Sequence, residues 1–140
     1  MTCTFFGHRD CPDDIINSLK ATIIDLIENK GVSTFLVGNN GNFDRLVIKA
    51  LTKCKDTFPH IDYCVVLAYL PKNKRFDYHT VYPEGLENVP KKYAILKRNE
   101  WIIKNSDFVV AYITHPTGGA YKALKYAEKL DKTYINLYIT

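Results

Sequence analysis

The chain has 140 residues, 46% of them hydrophobic, enough to bury one core without disulfide or metal staples and too few to require a second domain. Its longest apolar run, residues 63–70, falls far short of the roughly 18 residues that a membrane span needs. The formal charge of +4, from 19 basic and 15 acidic residues, suits an anionic ligand. The basic residues are spread along the chain rather than gathered on one face, so nucleic acid is not the expected partner.

The stretch MTCTFFGHRD has no basic segment followed by a long apolar one and does not resemble a secretory signal, so a cytoplasmic protein is expected. In that reducing setting Cys3, Cys11, Cys54 and Cys64, with no CxxC pair, are expected as buried thiols. His8, His60, His79 and His115 are scattered too, with no ligand-like spacing, and neither a metal site nor a cofactor is expected.

Short β-rich runs alternate with amphipathic stretches, the pattern of βαβ units in a parallel sheet. A first strand at residues 2–6 ends at Gly7-His8-Arg9. A helix should follow, with Pro12 in its first turn, Asp13 and Asp14 complementing its dipole, and Ile15, Leu19, Ile23, Leu26 and Ile27 at helical spacing. Gly31 supplies the left-handed stop. A second strand at residues 34–37 leads through Gly38-Asn39-Asn40-Gly41-Asn42 into a helix whose face is Phe43, Leu46, Val47, Ala50 and Leu51. Residues 63–70 are apolar enough for a third strand covered on both sides.

From residue 71 to residue 90 the periodicity fails, and this basic, aromatic segment, with Lys72, Lys74, Arg75, Phe76, Tyr78 and Tyr82, is expected to be a lid or flexible loop. Helix 91–104 is apolar on more than one side, through Tyr93, Ile95, Leu96, Trp101, Ile102 and Ile103, which predicts a homo-oligomer through that helix. A fourth strand at residues 108–113 passes through Thr117-Gly118-Gly119 into a last helix, and residues 134–139 form the closing strand. Right-handed crossovers give a five-stranded, mainly parallel sheet of order 3-2-1-4-5, flanked by helices as a three-layer α/β/α domain over residues 1–140.

Three strand-to-helix turns then fall at the carboxyl edge of the sheet, where doubly wound folds bind ligands. Gly7, Gly38, Gly41, Gly118 and Gly119 let backbone approach a ligand, and the helix N-termini behind them offer amides to a phosphate. Arg9 and Arg98 are the anion partners expected from guanidinium chemistry. Asn39, Asn40, Asn42, Asn99 and Thr117 are candidates for sugar or base edges, Asp44 follows the second turn, and His8 is placed in the pocket by its position after the first strand.

The strings CTFFGHRD, GNNGNFDRLV, LKRNEWIIKNSD and TGGAYKALKYAEK, in this order, resemble the SLOG superfamily, particularly its small bacterial and phage proteins. The resemblance covers nearly the whole chain. It implies a Rossmann-like fold that binds nucleotides or their derivatives, among relatives that act as phosphoribohydrolases, as DNA-processing proteins, or as sensors of cyclic ADP-ribose-type signals in anti-phage defence. The hydrolase branch, the LONELY GUY or lysine-decarboxylase-like enzymes, carries a helical arginine and a PGGxGTxxE motif. Arg98 stands where that arginine would be, and Gly118 and Gly119 match the glycine pair. Thr117 replaces the proline, Tyr121 the third glycine, Lys122 the threonine and Lys125 the glutamate. Without that carboxylate, catalysis of this kind should fall by on the order of 10²-fold or more, and a binding module that senses or sequesters an ADP-ribose-type signal is expected. The alternatives are an N-glycosidic-bond hydrolase using Asp44 or Glu100, and single-stranded DNA binding through residues 72–75 and helix 91–104.

Overall fold

The computed structural model describes residues 1–71 and 75–138; Lys72, Lys74 and Ile139 lie outside them. Its strands are β1 (Thr2–Gly7), β2 (Thr34–Val37), β3 (Asp62–Val66), β4 (Thr80–Val81), β5 (Phe108–Tyr112) and β6 (Thr133–Asn136). Its α-helices are α1 (Ile16–Lys30), α2 (Asn42–Thr57), α3 (Ala94–Lys104) and α4 (Gly119–Lys129). All pairings are parallel, in the order β4-β3-β2-β1-β5-β6. This Rossmann-like α/β arrangement contains the expected five-strand order and extends it by one strand.

The extra strand corrects the expectation for residues 71–90. Thr80 and Val81 pair with Val65 and Val66, and the amides of Val65 and Leu67 donate to the carbonyls of His79 and Val81 at 2.9 and 2.8 Å. Phe76, Tyr78 and Tyr82 pack against the core and Leu86 is buried. Two residues of strand are too short to leave an alternating pattern, so this part of the segment looked structureless although it closes the sheet edge.

Adjacent strand residues face opposite layers. Phe5 and Val65 join the cluster under α1 and α2, whereas Phe6 and Val66 join the one under α3 and α4. Helix α1 presents Leu19, Ile23, Leu26 and Ile27 inward and ends at Gly31 with φ 70°, as its spacing predicts. Helix α3 begins three residues later than expected, because Lys91–Tyr93 forms a 3-10 turn. On its outer side Tyr93 and Leu96 remain exposed. All four cysteines are buried and unpaired. Among the described residues no helix is long and apolar enough to cross a membrane.

Gly7 joins core to site. A Cβ there would overlap the ring of Phe43, itself fully buried in α2. Gly7→Ala should therefore lower stability by about 1–3 kcal/mol through overpacking, read as a reduced urea midpoint with an unchanged m-value.

Candidate ligand-binding cleft

The chain leaves β1 toward β2 on one side and returns to β5 on the other, so the winding reverses between β1 and β5. Over the carboxyl ends of these strands lies a cleft of about 450 Å³, within the range of small-molecule sites. Gly7, His8 and Arg9 line it from the end of β1, Asn40 and Asp44 from the β2–α2 connection, Asn99 from α3, and Thr117, Gly118 and Gly119 from the turn into α4. Gly38, Asn39, Gly41 and Arg98 are not part of its wall.

The two glycine turns nearest the helices differ in what they leave free. Gly118 caps α4 with φ 91° and no side-chain cap, and the first amide to bond back into the helix is that of Lys122, to the Gly118 carbonyl at 3.1 Å. The amides of Gly119, Ala120 and Tyr121 consequently have no intrahelical acceptor. No atom stands within 4 Å of where a Cβ on Gly118 or Gly119 would be. Unpaired amides, the positive end of a helix dipole and open space coincide there, which is the chemistry of an anion site.

At α2 the first amide of the helix is already taken. The Asn42 amide donates to the Arg9 carbonyl at 2.9 Å. Gly41, with φ 95°, lies so near Arg9 that a Cβ would come within 2.7 Å of its Cα. The Asn42 side chain donates to the Cys11 carbonyl at 2.6 Å and to Asp13 at 2.8 Å, and Arg45 donates to Asp13 at 2.9 Å and to Asn42 at 2.8 Å. Asn42 and Gly41 therefore join the first two turns to each other. The expectation that Asn42 reads a ligand is corrected.

Arg98 also differs from its expected role. Only 2% exposed, it donates through Nη1 to the Val66 carbonyl at 3.0 Å, through Nε to Asn99 Oδ1 at 2.8 Å and through Nη2 to Asn40 Oδ1 at 2.9 Å. A buried charge needs such partners, and using them turns the guanidinium away from a surface phosphate and into the support behind the cleft. It fixes both asparagines with their oxygens inward, so each has its Nδ2 amide left to offer. The Asn40 backbone amide donates to Asp44 Oδ2 at 2.9 Å, linking carboxylate and guanidinium through one residue. Gly38 leaves room for this: a Cβ there would stand 2.9 Å from Asp44 Oδ2 and 3.0 Å from the Arg98 guanidinium carbon.

Burial raises the Asp44 pKa from 3.8 to about 6, against the opposing pull of the Asn40 amide, Arg98 and Arg9. Its Oδ1 has no hydrogen-bond partner among the described residues. His8, 7% exposed, accepts the Thr114 amide on Nε2 at 3.0 Å and stacks on His115 with centroids 3.9 Å apart and 6° between planes. Burial and the charge of His115 lower its pKa below 6.5, with Asp10 opposing. The imidazole is thus neutral near pH 7 and carries its proton on Nδ1, which is unpartnered among the described residues. Arg9 is exposed, and its guanidinium makes no ion pair or hydrogen bond among them.

Asp10, Ile95 and His115 also line the cleft and were not singled out as site residues. His115 had a readable signal, its position two residues after the fourth predicted strand. Asn136 had none: its amide group bridges the N–H and C=O of Ile113 at 3.1 and 3.0 Å, which holds the start of the 114–118 turn to β6.

No family model matches the chain, and no curated protein matches it. A solved structure does, that of DNA processing protein A (DprA) from Streptococcus pneumoniae, with TM-score 0.70 and 17% identity, covering 95% of this chain. The chain spans about half of that structure, 48% of its length. The likeness is one of fold, a Rossmann-like and DprA-like domain.

Two groups in the cleft titrate in opposite senses. Asp44 holds its proton more tightly folded than unfolded, so its contribution to stability is full below pH 3.8 and lost as pH rises through about 6. His8 contributes fully above pH 6.5, and that contribution is lost as pH falls through its lowered folded value. Urea midpoints of Asp44→Asn should therefore gain on those of the wild type as pH is raised from 4 to 7, bracketing the Asp44 interval, while the His8 ring resonances should titrate below pH 6.5.

Proposed function

We propose that the chain binds a phosphate-bearing, nucleotide-derived small molecule in this cleft, as a sensor or sequestering protein. The observation that carries the reading is the open N-terminus of α4, with three amides lacking helical acceptors beside the free guanidinium of Arg9. In this reading the phosphate takes the Gly119 and Ala120 amides and Arg9, while Asn99 Nδ2 and His8 Nδ1 donate to the sugar. The resemblance to the SLOG superfamily supports an ADP-ribose or cyclic ADP-ribose-type ligand and a place in anti-phage defence. DNA-processing proteins are among the relatives that the resemblance names, and the likeness to one of them is a likeness of fold. Self-association through α3 belongs to the same proposal and would cover Tyr93 and Leu96; a monomeric mass by light scattering would remove it.

Calorimetric titration with ADP-ribose, its cyclic isomers, NAD and nucleoside monophosphates tests the reading. At least one should bind, and Arg9→Ala should weaken it by on the order of tenfold or more, the effect of one charge-assisted hydrogen-bond pair. No binding by any of them, or an unchanged affinity in Arg9→Ala, would contradict it.

One observation favours a second reading, cleavage of an N-glycosidic bond. Asp44 supplies a buried carboxylate with pKa about 6 on the cleft wall, a suitable base near neutral pH. Water would add to the anomeric carbon as the bond to the base breaks, its proton passing to Asp44 while the departing base takes a proton from solvent; Asp44 then returns its proton to solvent. Release of free base should then rise with pH through about 6 and disappear in Asp44→Asn. Absence of base release from the same nucleotide panel leaves binding alone.

A further inference from the structure

Beside the cleft, over the ends of β2 and β3, lies a hollow of about 180 Å³ lined by Asn39, Asn40, Leu67, Tyr69, Pro71 and Phe76. Its walls are held in place. The Tyr69 hydroxyl donates to the Lys91 carbonyl at 2.8 Å, Phe76 stacks on Tyr78 with centroids 5.2 Å apart, and Leu67 is buried beneath. Asn40 lines this hollow and the cleft alike. Because its Oδ1 is taken by Arg98, what it offers is an Nδ2 donor. Asn39 is exposed and makes no hydrogen bond among the described residues.

We propose that this hollow is a nucleobase subsite of the cleft. The proposal rests on the phosphate reading of the cleft. Two aromatic side chains and two amides around an apolar floor suit a flat heterocycle with donors and acceptors on its edge, and a sugar phosphate has no such face. Because Asn40 lines both, the hollow adjoins the cleft, and a ligand whose phosphate sits at the α4 amides extends its base toward the hollow.

The test is calorimetric titration of the full chain with ADP, GDP, CDP and UDP, with ADP-ribose, and with inorganic pyrophosphate. At least one of the base-bearing ligands should bind on the order of tenfold or more tighter than pyrophosphate, the contribution of one stacked base. Phe76→Ala should remove most of that advantage and leave the pyrophosphate affinity unchanged. Asn39→Ala, at an exposed position, should reduce the advantage without affecting the fold. Pyrophosphate binding as tightly as every base-bearing ligand would overturn the subsite while leaving the cleft reading intact; failure of pyrophosphate and all nucleotides to bind would overturn both. A short oligodeoxynucleotide is the last arm, and binding tighter than that of any nucleotide, steeply salt-dependent, would replace the free nucleotide by a strand.

Discussion

A positive charge buried beneath the cleft organises everything above it. Arg98 is withdrawn from solvent and must be surrounded by acceptors. It finds them on three separate elements: the end of β3 at Val66, the second turn at Asn40, and its own helix at Asn99. Those bonds settle how α3 sits against the sheet and which ends of two asparagine amides are available. Asp44, coupled to Arg98 through Asn40, keeps a carboxylate in a place where burial alone would favour its neutral form. Removing one member of such a network leaves the others buried and unpaired, which costs more than the lost contact itself.

The turns around this network divide the work. The first two are bound to each other by Asn42, Gly41 and the Arg9 carbonyl, which takes the first backbone amide of α2 and the side-chain amide of Asn42 out of reach of a ligand. The third turn remains open above α4, held from below by the His8–Thr114 bond and from the side by Asn136. A rigid wall thus faces an unsatisfied helix end, an arrangement that binds an anion with little reorganisation.

Much of this was legible in the residues, for reasons that differ by element. Helical spacing and Gly31 gave α1 closely, because burying one face and stopping in a left-handed residue are local requirements. The central strand order followed from crossover handedness. Strand β4 was not legible, since two residues carry no period and their pairing with β3 is long-range. Of the expected residues, Gly7, Gly118, Gly119 and those after β1 line the cleft, where backbone geometry demands small or polar residues; Gly38 and Gly41 stand behind it. Arg98 and Asn42 were assigned to the ligand on chemical type, yet the structure uses the same hydrogen-bonding capacity to hold the site together. Nothing in a residue's type separates those uses; only burial and partners do.

The most direct test of the central claim is amide-resolved. In a ¹⁵N spectrum titrated with ADP-ribose, the backbone amides of Gly119 and Ala120 and the side-chain amide of Asn99 should shift together with one saturating dissociation constant. Saturable shifts confined to other surfaces, with these three unmoved, would contradict the account.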